Sequence, residues 1–422
     1  MLSLNRIRNN TDEIKAGIDS KNESINLDEI LNLDSDHREK IHELDGLRAE
    51  RNKSSDAIAE SKRKGISSDK AINDMRIVSD AIKKLENEVN DLKEKLVTKL
   101  EIIPNIPHGT VPNGNDEKSN VVIREWGKPI DVDYELKSHV DLGKNLGLFD
   151  FEKGSKISGS GFPLLIGLGS KLERELINFM LNVHIEEHGF EEIFPPFLTR
   201  DKAPYTCGQL PKFSDDMYYI EKDELYLIPT AEVPLTNLYA DEIIDEDQLP
   251  MNYAAFSACF RREAGSYGKD TRGLLRLHQF NKVEMVKFVK PESSYDELEK
   301  LTNQAESILQ KLGLHYRVIE LCTGDLSFSA AKCYDLEVWA PGEKKWLEVS
   351  SCSNFEDFQA RRGNIRYRKS SDKKVDYIHT LNGSGLATPR LMVALLETYQ
   401  SSEGKILLPE VLHQQMGMEV ID

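Results

Sequence analysis

Apolar positions recur along this chain at more than one period, and the change of period divides it. From Leu27 to Ile103 there is no proline, and the only glycines are Gly46 and Gly65. In the second half of that stretch Met75, Ile82, Val89, Leu96 and Ile103 recur at heptad spacing, with Val78, Leu85 and Leu92 between them. This pattern predicts the seam of a coiled coil. The first half is weaker: Ile30, His37, Leu44, Arg51 and Ile58 share one heptad position, with Ile41 and Leu47 close to the seam. Residues 62–69 separate the halves. Gly65 suits the end of one helix, and Ser67 or Ser68 suits the cap of the next. The prediction is an antiparallel helical hairpin whose seam closes within one chain, each helix about 50 Å long for roughly 35 residues.

Pro104, Pro107, Gly109, Pro112 and Gly114 then end the helical pattern. The expected organisation is an N-terminal domain over 1–103, a linker over 104–120 and a second domain over 121–422. Within the last, Leu168, Leu172, Leu176, Phe179 and Val183 predict an amphipathic helix from Ile166 to Glu187. Leu298, Leu301, Ala305, Ile308 and Leu312 predict another from Ser294, stopped by Gly313. The apolar runs that read as strands follow no regular βαβ rhythm. An antiparallel sheet with helices packed on it is therefore expected, and the class is α+β.

One predicted hairpin carries unusual chemistry. Ala258–Glu263 and Leu277–Glu284 flank a loop bearing Gly265, Gly268, Gly273, Lys269, Arg272 and Arg276. Strand alternation would put Arg261 with Glu263 on one face, and Phe280 with Lys282 and Glu284 on the other strand's face. Together they offer a guanidinium, carboxylates and a ring, which suits a phosphate, an amine and a planar base. A cross-strand salt bridge on a solvated face is the alternative.

Charge and cysteine usage narrow the picture. The 422 residues carry a formal net charge of −17, which argues against generalised nucleic-acid binding. The distal part of the predicted arm is locally basic, with eight basic against five acidic residues between Arg48 and Arg76. That marks a candidate phosphate-binding surface, against the alternative of an ordinary solvated exterior. The five cysteines form no CxxC pair, so no zinc site is expected, and their sparse usage fits a reducing compartment. With no long apolar run and no apolar leader at the start, a soluble, cytoplasmic protein with no membrane span is expected.

Several nucleotide and hydrolase motifs are absent: no GxxxxGK[ST], no complete GxGxxG, no GxSxG and no HExxH. Three other stretches carry candidate chemistry. In Asn382–Leu391 two glycines flank Ser384, Thr388 is a candidate N-cap, Pro389 a first helical residue, and Arg390 falls in the first turn, a favourable phosphate position. In Trp346–Ser353, Glu348 and Ser351 offer oxygens that suit Mg²⁺. In Pro229–Pro234, Thr230 and Glu232 could hold a small polar amine, or serve only as a Thr-x-Glu cap.

Together these stretches resemble class II aminoacyl-tRNA synthetases. The Phe-Arg-Arg-Glu hairpin followed by Phe280, the stretch from Gly383 to Arg390 and the helix entered at Gly159 look like their three signature motifs. Thr230-Ala231-Glu232, Glu348-Val349-Ser350-Ser351 and the helical arm are similar to seryl-tRNA synthetases of the ordinary bacterial type. The resemblance covers nearly the whole chain with its motifs in the expected order. It implies a coiled-coil hairpin arm plus a class II synthetase-like antiparallel sheet domain flanked by helices. It implies ATP and L-serine as substrates, Mg²⁺, and tRNA(Ser), with tRNA(Sec) left open. By family pattern Arg261, Glu263, Glu284 and Arg390 are catalytic. Thr230, Ala231, Glu232, Arg261, Glu284, Asn382 and Ser384 bind serine. Arg261, Arg262, Glu263, Phe280, Glu348, Val349, Ser350, Ser351 and Arg390 bind ATP, and Glu348 and Ser351 hold Mg²⁺. Arg48, Arg51, Lys62, Arg63 and Lys64 are the arm residues offered to tRNA. The family also implies a homodimer in which one subunit's arm serves the other's active site. Two alternatives stay open at this point: a non-catalytic tRNA-binding paralogue, which would be expected to lose the arginines and glutamates that are present, and a ligase acting on a carrier protein, whose relatives lack the arm.

Overall fold

The computed structural model describes residues 1–65, 67–264 and 272–422, in two compact units. The first comprises Met1–Asp19 and Glu23–Pro104. Its body is two long helices, α1 (Leu27–Arg63) and α2 (Asp69–Glu101). Leu44, Ile82 and Leu85 are buried between them, with Leu47, Val78 and Val89 packed alongside, so the predicted seam forms. Ion pairs run in opposite chain directions: Glu29 with Lys99, Lys40 with Glu88, Arg48 with Glu86. The hairpin is therefore antiparallel. Gly65 lies just past α1 with φ +70, a conformation that glycine adopts without Cβ strain. Ser68 stands at the N-cap of α2 but makes no side-chain capping bond, and the neighbouring Ser67 Oγ donates to the Asp69 carboxylate at 3.0 Å. Ile66, inside the predicted separator, lies outside the described residues.

The weak first half of the seam has a polar explanation. Asp34 is buried and takes two hydrogen bonds from Arg8, at 2.6 and 2.9 Å. Arg38 stands 3.2 Å from the same carboxylate. A buried charge held this way replaces an apolar knob, which is why the heptad reads poorly there.

The second unit comprises Ser20–Asn22 and Asn105–Asp422. The stretch expected as a linker thus falls with this unit from Asn105 onward. Asn105 Nδ2 donates to the carbonyls of Ser329 and Phe355, at 3.0 and 2.8 Å, and Gly324 donates its N–H to Gly114.

An eight-stranded sheet organises the unit. Its strands are β1 (Val121–Trp126), β2 (Glu191–Glu192), β3 (Met251–Phe260), β4 (Gln279–Val289), β5 (Tyr316–Glu320), β6 (Lys332–Ala340), β7 (Lys345–Asn354) and β8 (His379–Ala387). The spatial order is β1-β5-β6-β7-β8-β4-β3-β2. Every pairing is antiparallel except that of β2 with β3. The predicted α+β class holds.

Helices α3 (Leu168–Asn182), α4 (Ser294–Lys311) and α5 (Thr388–Thr398) complete the core. Leu298, Leu301, Ala305 and Ile308 of α4 are fully buried, as their spacing predicts. Burial of each leucine or isoleucine is worth roughly 1.5–3 kcal/mol. The predicted Ile166–Glu187 helix begins at Leu168 and changes to a π-helical turn at Val183–Glu187. Among the described residues, no helix is long and apolar enough to cross a membrane.

Candidate active site

The β3–β4 hairpin forms the floor of a cleft of about 630 Å³. Its ladder pairs Phe280 with Cys259, Lys282 with Ser257 and Glu284 with Ala255. Strand β3 ends at Phe260, short of the Arg261–Glu263 stretch through which alternation would have to run. Arg261 still donates its N–H to His278, at 2.9 Å, but Glu263 turns to φ +54. Both reach the cleft, then, by a turn rather than by strand alternation. The turn is held by Asp216, whose carbonyl accepts the Arg262 N–H and whose carboxylate accepts the Ala264 N–H. The Arg261 guanidinium lies 5.1 Å from the Phe280 ring centroid, and Glu263 pairs with Arg276. Gly265, Gly268 and Lys269 of the loop between the two hairpin strands lie outside the described residues.

At one end of the cleft, polar groups are densely cross-bonded. Thr230 Oγ1 donates to Glu284 at 2.9 Å and accepts the N–H of Glu232 at 3.1 Å. Thr230 precedes the N-cap, Ala231, of the short helix Glu232–Thr236, so its bond to the Glu232 N–H lies at the start of that helix. Asn382 Nδ2 donates to the other Glu284 oxygen at 3.1 Å, and Lys282 forms an ion pair with Glu284. Gln359 donates to Glu232 at 2.7 Å. Burial, reinforced by the negative charge of Glu284, pushes the Glu232 carboxyl from its ordinary 4.5 up to about 7.

The other end is cationic and oxygen-rich. Pro389 and Arg390 open α5, as expected, but Ala387 is the N-cap and Thr388 already helical. The Thr388 hydroxyl is engaged elsewhere, with Glu173 and the Asn281 carbonyl. Arg390 donates from Nε to the Leu275 carbonyl at 3.2 Å and from Nη1 to the Glu348 carbonyl at 3.0 Å. Its Nη1 stands 3.6 Å from the Glu348 carboxylate. Ser351 faces Asp335 across the β6–β7 ladder. Burial and the charge of Glu348 hold the Asp335 carboxyl well above the usual range. Carboxylate and hydroxyl oxygens in this arrangement fit a hard divalent cation such as Mg²⁺.

The cleft thus gathers Thr230, Glu232, Arg261, Glu263, Phe280, Glu348, Val349, Ser351, Asn382, Ser384 and Arg390 from segments far apart in sequence. Four predicted residues do not line it. Glu284 is fully buried behind Thr230, Asn382 and Lys282. Ser350 bonds the Ser384 carbonyl at 2.6 Å from a buried position. Ala231 is a buried helix cap, and the Arg262 side chain is exposed away from the lining. Arg48, Arg51, Lys62, Arg63 and Lys64 belong to the first unit, where Arg48 pairs with Glu86 and Lys64 with Glu60. Sequence reasoning assigned no site role to Lys282, Arg276, Gln359 or Asp335. Lys282 alone had a local signal, sharing the strand face of Phe280 and Glu284.

Comparison with known proteins covers both units. Residues 1–107 match the Seryl-tRNA synthetase N-terminal domain, and residues 212–399 match the tRNA synthetase class II core domain (G, H, P, S and T). The chain is 52% identical over 426 residues to the serine–tRNA ligase of Chloroherpeton thalassium, covering 100% of both chains. It is 40% identical, with a TM-score of 0.93, to a crystal structure of seryl-tRNA synthetase from Pyrococcus horikoshii complexed with ATP, covering 100% of this chain and 99% of that one. A cytoplasmic serine–tRNA ligase from Naegleria fowleri in complex with AMP is 27% identical, with a TM-score of 0.88 and the same coverage.

Proposed function

The chain belongs to the class II seryl-tRNA synthetases, and from that premise we propose how its own residues divide the work of joining serine to tRNA. The reaction is that of a serine–tRNA ligase. ATP and serine give seryl-adenylate and pyrophosphate, and the seryl group then passes to tRNA. The observation that carries this reading is one cleft with carboxylates at one end, a ring and arginine between, and an arginine with oxygen ligands at the other.

Serine enters with its ammonium toward the Glu232 carboxylate, whose second oxygen is not taken by Gln359. Thr230, Asn382 and Ser384 close around its hydroxyl, with Glu284 fixing the first two. A pocket that bonds a hydroxyl this way leaves polar groups unpaired with alanine, worth roughly 10⁴–10⁵ in discrimination. The adenine stacks on Phe280. In the structure Arg261 covers that ring, so nucleotide binding requires its guanidinium to move from the ring to the α-phosphate and the serine carboxylate. Arg390 takes the γ-phosphate. Glu263 holds the adenine edge, and Arg276, paired with it, borders the nucleotide. Carboxylate attack on the α-phosphorus needs alignment and neutralised charge more than a side-chain base. Glu348 and Ser351 would hold Mg²⁺, which when bound neutralises phosphate charge.

The arm reads as the tRNA-gripping element, through Arg48, Arg51, Lys62, Arg63 and Lys64, by shape and backbone contact. We take tRNA(Ser) as its partner, leave tRNA(Sec) as a second substrate to be assayed, and place the enzyme in the cytoplasm. A homodimer with α3 at its interface completes the reading; Phe194 and Ile157, which lie outside α3, are exposed at 77% and 72%. Pyrophosphate exchange with each of the twenty amino acids tests the reading. Exchange with serine alone is expected, and exchange with another amino acid in its place would overturn it.

A further inference from the structure

Behind the cleft lies a buried histidine that the scheme above does not use. His139 is fully buried. Its Nδ1 stands 3.0 Å from Glu397 Oε1, which also accepts the His139 backbone N–H at 2.9 Å. Its Nε2 accepts the N–H of Leu274 at 3.2 Å. That acceptance fixes the tautomer: Nε2 is bare, and the ring proton sits on Nδ1, toward Glu397. Nδ1 is therefore a donor with no lone pair for a cation, although Glu343 Oε1 also comes within 3.4 Å.

The contacts form a closed circuit. Glu397 Oε2 is fixed by the N–H groups of Gly342 and Glu343, at 2.9 and 3.0 Å. Glu397 lies on α5, about two turns beyond Arg390. Leu275, next to Leu274, gives its carbonyl to Arg390 Nε. The chain runs hard against the imidazole here: a Cβ on Gly273 would fall 2.1 Å from His139 Nε2, at φ +62. Both Leu274 and Leu275 border the cleft.

We propose that His139 is a positioning residue for nucleotide binding. Held by Glu397, it fixes the Leu274 N–H, and through the adjoining Leu275 carbonyl it sets the direction of the Arg390 guanidinium. The inference rests on the reading of Arg390 as a phosphate ligand.

Serine-dependent ATP–pyrophosphate exchange with the full-length enzyme tests it. His139→Asn keeps a donor near Glu397 but is too short to reach Leu274, whereas His139→Gln can place an acceptor there. His139→Asn should raise the ATP KM about three- to tenfold, the effect of one lost buried hydrogen bond. The serine KM and kcat should change little, and His139→Gln should stay near wild type. On an Arg390→Ala background His139→Asn should add nothing further. Equal ATP KM for the Asn and Gln variants, or full additivity with Arg390→Ala, overturns the proposal. If His139→Asn does not fold, Glu397→Gln carries the same test, since an amide has one oxygen for the acceptor roles that Glu397 fills with two; an unchanged ATP KM then overturns it. An Arg390→Ala enzyme with unaltered ATP KM would refute the reading of Arg390 itself, and the inference with it.

Discussion

Glu284 adds to what burial does to the proton on Glu232. Thr230 stands between the two residues: its hydroxyl donates to the Glu284 carboxylate and accepts the backbone N–H of Glu232. Burial, with the negative charge of Glu284 added to it, raises Glu232 to about 7, and Lys282 forms an ion pair with Glu284. An acid raised in this way is neutral below pH 7 and charged above it. The kcat/KM for serine should therefore rise about tenfold from pH 6 to pH 8, following the competent fraction of free enzyme. A flat profile over that range would remove Glu232 as the ammonium partner.

The same shift has a cost in stability. The unfolded chain releases this proton near 4.5 and the folded chain near 7, so the folded state loses stability as pH rises between them. The loss is on the order of 3 kcal/mol once both forms are ionised. Glu232→Gln should abolish serine activation yet raise resistance to urea at pH 8. The gain should shrink toward nothing as pH falls to about 4.5. A variant no more stable than wild type at pH 8 would contradict this.

Lys282 and Glu284 form a buried ion pair. Their side chains are 7% and 0% exposed. Lys282→Met should cost about 3–5 kcal/mol, because it leaves a buried charge unpaired. Adding Glu284→Gln should restore much of that stability without restoring exchange. Denaturation midpoints of the single and double variants give the coupling directly.

Arg390→Ala should lower exchange kcat/KM for ATP about 10- to 100-fold, the range for a lost charge-assisted hydrogen bond. The serine KM should move much less. Steady-state kinetics with each substrate varied in turn checks the difference.

On the arm, Lys62, Arg63 and Lys64 are exposed at the end of α1. Replacing all three by alanine should leave exchange intact and weaken tRNA charging. If each meets a phosphate, the salt dependence of tRNA affinity, as log K against log salt, should lessen by about 2–3. An unchanged slope would place the tRNA elsewhere.

Much of this architecture was legible locally. Heptad spacing marks Ile82, Leu85 and Val89 as a seam, and helical spacing marks Leu298 through Ile308 as a core face, because side-chain period and burial follow directly from backbone geometry. The Pro389–Arg390 helix start was legible for the same reason. What was not legible depends on contacts between distant segments. Asp34 looks like a fault in the heptad until Arg8 is placed beside it. His139, Gln359 and Asp335 have no local pattern, since each owes its role to a partner on another element. Alternation says nothing about where pairing stops, so it carries the strand through Glu263, where the chain in fact turns.

The two units obey different rules for changing length. Strand β4 pairs with both β3 and β8, and its ladder with β8 shifts register between Lys282 and Glu284. Inserting or deleting a single residue there would turn Phe280 or Glu284 to the opposite face, so this part of the gene has almost no freedom for small indels. The hairpin of α1 and α2 keeps its seam if matched heptads are added to or removed from both helices. Over evolutionary time, then, the reach of the arm is open to adjustment in whole steps, while the pocket can change only by substitution.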